Sequence, residues 1–97
     1  MEDSKIVNIC KCLSDLNRLK ILELLVLGEK CACDLLEELD IKQSTLSYHM
    51  KLLSECDLIF TREEGKWNYY SINCETFKDF KSFINRLECS DLKRENC

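Results

Sequence analysis

The thirteen residues 43–55, QSTLSYHMKLLSE, set two opposed faces on one helical period. Leu46, Met50 and Leu53, with His49 beside them, recur at the spacing of a single helix face and point inward. Ser44, Ser47, Tyr48 and Lys51 repeat at i, i+3, i+4, i+7 on the other side and point outward. Such a helix is anchored by one side and offers short polar groups on the other. Its neighbours narrow the choice of fold. A short amphipathic helix over about 34–39 precedes it across the turn DIK. DLIFTREEGKWNYYSIN follows it as two β-rich runs around Gly65, a β-hairpin. A short helix, a tight turn, a helix with a polar outer face and a hairpin make a winged helix-turn-helix, mainly α with a β-hairpin (α+β).

The rest of the chain supplies a frame for that unit. Ile6, Ile9, Cys10 and Leu13 give a first helix with one apolar face. Ser14 can cap a second, DLNRLKILELLVLG, with Gly28 as its stop, and its density of Leu and Ile predicts a buried central helix. The last helix, about 75–87, aligns Phe77, Phe80, Phe83, Ile84 and Leu87 on one face. One short helix carrying that much apolar surface needs a partner, and a homodimer through the N- and C-terminal helices covers both. With no proline and two glycines there is no interdomain linker. Residues 1–97 therefore read as one domain, with 89–97 as a frayed tail.

Eight cysteines would suggest a disulfide scaffold in a secreted chain. The opening MEDSKIVNIC is acidic and lacks a cleavable apolar region, and Glu23 interrupts the richest apolar run. No segment reaches the roughly 20 residues that cross a bilayer. A cytoplasmic protein with reduced thiols and no membrane partner is expected. The net charge of −4 lies in residues 1–40, where nine acidic residues face five basic ones; residues 41–72 hold four of each. Non-specific phosphate binding should be weak, so affinity for double-stranded operator DNA must come from shape, base contacts and dimerisation. One histidine and no phosphate-cradling glycine motif give no basis for an enzyme.

A helix entering the major groove needs outer side chains short enough to approach and able to bond base edges. Gln43, Ser44, Thr45, Ser47 and Tyr48 are the candidates, with Lys51 for a phosphate and Arg62 and Lys66 on the wing for the flanking backbone. His49 borders the apolar face, which predicts a hydrogen-bonded structural role. Trp67, Tyr69 and Tyr70 suit hairpin packing.

LSDLNRLKILELL, KCACDLLEEL, QSTLSYHMKLL and GKWNYYSI stand in the order and spacing of the ArsR/SmtB family of bacterial metal-responsive repressors, which the chain resembles over roughly residues 6–73. The resemblance implies a homodimeric winged-helix repressor that leaves its operator on binding an inducer. Cys31 and Cys33 match the Cys-Val-Cys pair of arsenic and antimony sensors, and also of cadmium/lead sensors, with Ala32 at the Val position. Gln43, Ser44, Ser47 and Tyr48 fall on the family's base-reading positions. Three departures matter. Leu36 stands where the best-known arsenic sensors have a third cysteine, and Lys42 stands where a capping Ser is common. Residues 75–97 contain no His, which removes the carboxylate/histidine zinc site of the last helix.

Within a regular helix, residues i and i+2 lie about 200° apart. With Cys33 read as the N-cap, the two thiols converge only if the first turn unwinds, and that distortion would tilt the reading helix. Soft thiolates favour As(III) or Sb(III) as inducer, with Cd(II) or Pb(II) as the alternative. A third sulfur is needed, and Cys10 or Cys12 is the candidate, from the same subunit or the other. Cys10 fits the core face of the first helix; Cys12 falls off it. Cys56 reads as structural, while Cys74, Cys89 and Cys97 have no assigned role. A thiol redox or persulfide switch on the same fold is a further alternative, although CxC thiols would close a strained small ring.

Overall fold

The computed structural model describes residues 1–88; the expected tail, with Cys89 and Cys97, lies outside them. The elements run α1 (Asp3–Leu13), α2 (Leu16–Leu25), β1 (Lys30–Cys31), α3 (Ala32–Glu38), α4 (Gln43–Glu55), β2 (Ile59–Glu64), β3 (Trp67–Ile72) and α5 (Cys74–Arg86). This is the expected winged helix-turn-helix.

Local capping explains where the helices begin. Asp15, not Ser14, caps α2: its carboxylate accepts the Arg18 backbone N–H at 3.0 Å. The Ser14 hydroxyl instead donates to the Lys11 carbonyl at 2.7 Å and closes α1. Asn73 caps α5 by accepting from the Thr76 N–H. At Lys42 there is no side-chain cap on α4.

The core is centred on Ile9, Ile21, Leu35, Leu46, Leu53 and Leu58, drawn from α1 through β2. Two sequence expectations change here. On α1 the buried row is Ile6, Ile9 and Cys12, while Cys10, about 100° round the helix from Ile9, faces outward. On α2 only Ile21, Leu22 and Leu25 are buried; Leu16 is 67% exposed and Leu19 40%. The helix is therefore open on one side. There it edges an apolar groove of about 670 Å³, lined by Leu13, Leu22, Val26, Ile72 and Phe77 among others.

The hairpin has a third strand. β1 pairs antiparallel with β3, setting Lys30 opposite Tyr70 and Cys31 opposite Tyr69, in the order β1-β3-β2. Gly65 takes φ +61° in the turn between β2 and β3. Among the described residues no helix is long and apolar enough to cross a membrane.

Candidate nucleic-acid interface and thiol sites

Helix α4 divides as its sequence predicts. Leu46, His49, Met50 and Leu53 are buried. Gln43, Ser44, Ser47, Tyr48 and Lys51 are exposed, and Thr45 is half-buried at the edge of that face. The buried side is fixed by polar contacts as well as packing. Arg18 Nη1 lies 3.1 Å from His49 Nδ1. A guanidinium only donates, so Nδ1 accepts and the imidazole proton sits on Nε2. Arg18 Nε also donates to the Cys12 carbonyl at 2.6 Å, and Asp15 lies 3.9 Å from the same His49 nitrogen. The Arg18 backbone N–H, aided by the Arg18 charge, holds the Asp15 carboxyl below its usual range. One arginine thus ties the starts of α1's exit, α2 and the middle of α4 together, which is the structural role expected of His49.

On the wing, Arg62 is committed elsewhere. Its guanidinium bonds both oxygens of Glu29, at 2.8 and 3.2 Å, and also Glu64, and stacks 4.6 Å from the centre of the Tyr69 ring. Hydrogen bonds to the two carboxylates raise its pKa further. Glu29 is 33 residues away in sequence, and nothing local to Arg62 signals the pairing. Lys66, exposed beside Gly65 at the tip, has no ion-pair partner among the described residues. Tyr70 is packed into the core, as the hairpin reading expects, whereas Trp67 is exposed.

The CxC pair departs from its expected geometry. Cys31, not Cys33, is the N-cap of α3, with φ −84° and ψ 165°, and is also the last residue of β1. Cys33 is the second helical residue. Because Cys31 has extended backbone, the 200° separation of a regular helix does not apply. The two cysteines stand together at the start of α3 with no unwinding of the turn. Partial desolvation, then the charge and hydrogen bond of Cys31, then Asp34 and Glu37, push the Cys33 thiol up. The Asp34 carboxylate accepts the Cys31 backbone N–H at 3.2 Å, the reciprocal half of a capping box.

Neither candidate third sulfur joins them within one chain. Among the described residues no group of three or more His, Cys, Asp or Glu is assembled for a metal. Cys10 is exposed on α1. Cys12 is buried and lines a cleft with Cys56 instead. Burial, then the charge and hydrogen bond of Cys56, push the Cys12 thiol up to about 12. Sequence reasoning missed this second pair because it treated both thiols singly.

Comparison with known proteins places these features in context. Residues 15–60 match the family described as bacterial regulatory protein, arsR family. The chain is 39% identical to an arsenical resistance operon repressor of Staphylococcus aureus, over all of both chains. With its counterpart from Staphylococcus xylosus the identity is 45%, over all of this chain and 90% of the relative. A cadmium resistance transcriptional regulatory protein CadC homolog of Staphylococcus aureus is 34% identical over 90% of this chain and 74% of its own. Among solved structures, an ArsR family transcriptional regulator superposes with a TM-score of 0.82 at 20% identity, covering 90% of each chain. HlyU from Vibrio cholerae superposes with a TM-score of 0.72 at 30% identity, covering 93% of this chain and 100% of that one.

Proposed function

The chain belongs to the arsR family of bacterial regulatory proteins, DNA-binding transcriptional repressors rather than enzymes, and from that premise we propose an inducer and a switch. The inducer is trivalent arsenic or antimony, bound by Cys31 and Cys33, and its binding releases a homodimer from the operator of a metalloid-resistance operon. The proposal includes a cytoplasmic site of action, where thiols stay reduced.

One observation carries this reading: two cysteines sit together at the start of α3, Cys31 as its N-cap and Cys33 in its first turn, and Leu35 of that helix shares the core with Leu46 of α4. Arsenite meets such a pair as the neutral trihydroxide. Each thiol that binds gives its proton to a departing hydroxide, so As(OH)3 and three thiols yield the tris-thiolate and three waters. Cys10, exposed on α1, supplies the third sulfur from the partner subunit; Cys12 is the less available choice because it is buried.

The switch follows from what else Cys31 does. Its N–H is held by Asp34, and its backbone pairs with Tyr69 of the wing. Drawing its sulfur toward a third ligand on another chain strains both the helix cap and the strand. α3 then shifts under α4, and the exposed row Gln43, Ser44, Thr45, Ser47, Tyr48 and Lys51 loses its register on the groove. A coupling of about 1–3 kcal/mol, typical of such linkage, weakens operator binding roughly 5- to 150-fold.

The second subunit covers the apolar surface that one chain leaves open. Leu16, Val26, Leu27, Ile84 and Leu87 are all exposed, and the groove between α2 and α5 continues that surface. A Cd(II)/Pb(II) inducer is the second reading, favoured by the 34% identity to the cadmium regulator homolog. Titrating the operator complex with As(III), Sb(III), Cd(II) and Zn(II) decides between them. Release by As(III) and Sb(III) at the lowest concentrations is expected; release by Cd(II) alone would reverse the order.

A further inference from the structure

Cys12 and Cys56 make a thiol pair that inducer binding does not use. Cys12 projects from α1 and is 4% exposed; Cys56 is the C-cap of α4 and half-buried. They meet in a cleft of about 310 Å³ between α1 and the end of α4, walled by Asn8, Lys11, Arg18 and Leu52. The Cys56 thiol donates to the Asn8 carbonyl at 3.5 Å, which holds it against α1. Cys56 also packs on the core cluster that contains Cys12.

We propose that Cys12 and Cys56 are a reversible disulfide site, closed by a peroxide, that staples α1 to the end of the reading helix. Three features of the site favour it. The two residues come from different elements far apart in sequence, so the bond closes a long loop rather than the strained small ring of a CxC pair. Cys56 opens onto the cleft, where an oxidant can reach it. Both side chains line that one cleft, so neither has to cross the core to reach the other.

The chemistry balances with the peroxide as sole oxidant. The Cys56 thiolate attacks one peroxide oxygen, the O–O bond breaks, and hydroxide leaves to take up the proton that the Cys56 thiol had shed. Cys56 is then a sulfenic acid. The Cys12 sulfur attacks the Cys56 sulfur; the S–S bond forms as the S–O bond breaks, and the oxygen departs as water with the Cys12 proton. Two thiols lose two electrons, and one peroxide becomes two waters.

The sulfurs, which line one cleft, must close to about 2 Å. That draws the last turn of α4 toward α1 and shifts the reading helix against its Arg18 anchor. The effect on DNA rests on the repressor reading above, whereas formation of the bond does not. The test takes the reduced full-length protein, adds hydrogen peroxide without metalloid, and maps cross-links by mass spectrometry of a non-reducing digest. A Cys12–Cys56 link within one chain is expected, reversed by dithiothreitol and absent from Cys56→Ser and from Cys12→Ala. Operator affinity should fall about tenfold on oxidation and recover on reduction, in wild type and in Cys31→Ser/Cys33→Ser alike. Oxidation that instead joins Cys31 to Cys33, links chains through Cys10 or Cys74, or stops at a sulfinic acid on Cys56 overturns the site. A link that leaves affinity unchanged overturns its regulatory effect. Should the link form in a protein that never binds an operator, the repressor reading fails and the disulfide site stands.

Discussion

At the scale of single residues, protons separate the two candidate inducers. Arsenite arrives as a neutral hydroxide and releases water, so its binding consumes and liberates no net protons. Cd(II) displaces one proton per thiol, and its affinity falls about tenfold per coordinated thiol for each pH unit below the thiol pKa. The upward shift of Cys33, from desolvation and then from Cys31, enlarges that cost for Cd(II) at neutral pH. Between about pH 8 and 6 the arsenite affinity should stay nearly flat while Cd(II) affinity drops steeply; calorimetry at several pH values reads both, and equal slopes would contradict this. A second prediction concerns Asp15. Its pKa is depressed chiefly by the Arg18 N–H, so its stabilisation is present above the ordinary carboxylate range and is lost as pH falls through the folded value. Asp15→Ala should lower stability by about 1 kcal/mol at neutral pH and by much less in acid. Thermal melts at the two pH values check it. Sequence pointed to Ser14 where Asp15 is the cap, because both are good acceptors and only the backbone φ/ψ chooses between neighbours.

The elements differ in how far they can be read from sequence, for physical reasons. Helix α4 was legible throughout because its two faces repeat at one period and both are long. Strand β1 was not: two residues, Lys30 and Cys31, are strand only because Tyr70 and Tyr69 pair with them from far along the chain. Missing it also misplaced the N-cap of α3 and made the CxC pair look unable to converge. On α1, Cys10 and Cys12 exchanged roles because the buried stripe depends on what α1 lies against. The wing offers a prediction at this scale. Arg62 is held by Glu29 and Glu64, so Glu29→Gln with Glu64→Gln should free it for a phosphate. Operator affinity should rise, and its log–log salt slope should steepen by about 0.9 per added phosphate contact. Adding Arg62→Ala should restore the original slope; a steep slope that survives it would place the new contact on another residue.

For the whole molecule, exposed apolar surface and DNA affinity are one problem. The described chain extends 55 Å along its longest axis and 24 Å along the others. Leu16 and Ile84 stand open to solvent. In the proposed homodimer, two copies joined over these residues would present two reading helices to two half-sites, which would compensate for a chain of net negative charge. Leu16→Glu with Ile84→Glu should give a folded monomer by sedimentation that has lost most operator affinity; an intact dimer would show that the contact lies elsewhere. In the proposed switch, the sulfur pair at the start of α3 decides whether that dimer stays on DNA. Fluorescence anisotropy of a labelled operator, titrated with arsenite, tests this most directly on wild type and on Cys31→Ser/Cys33→Ser. The wild type should be released, while the double variant binds the operator within about twofold of wild type and holds it at every arsenite concentration, since only the coupling is removed. Release of the double variant at the wild-type concentration would put the sensing site somewhere other than Cys31 and Cys33.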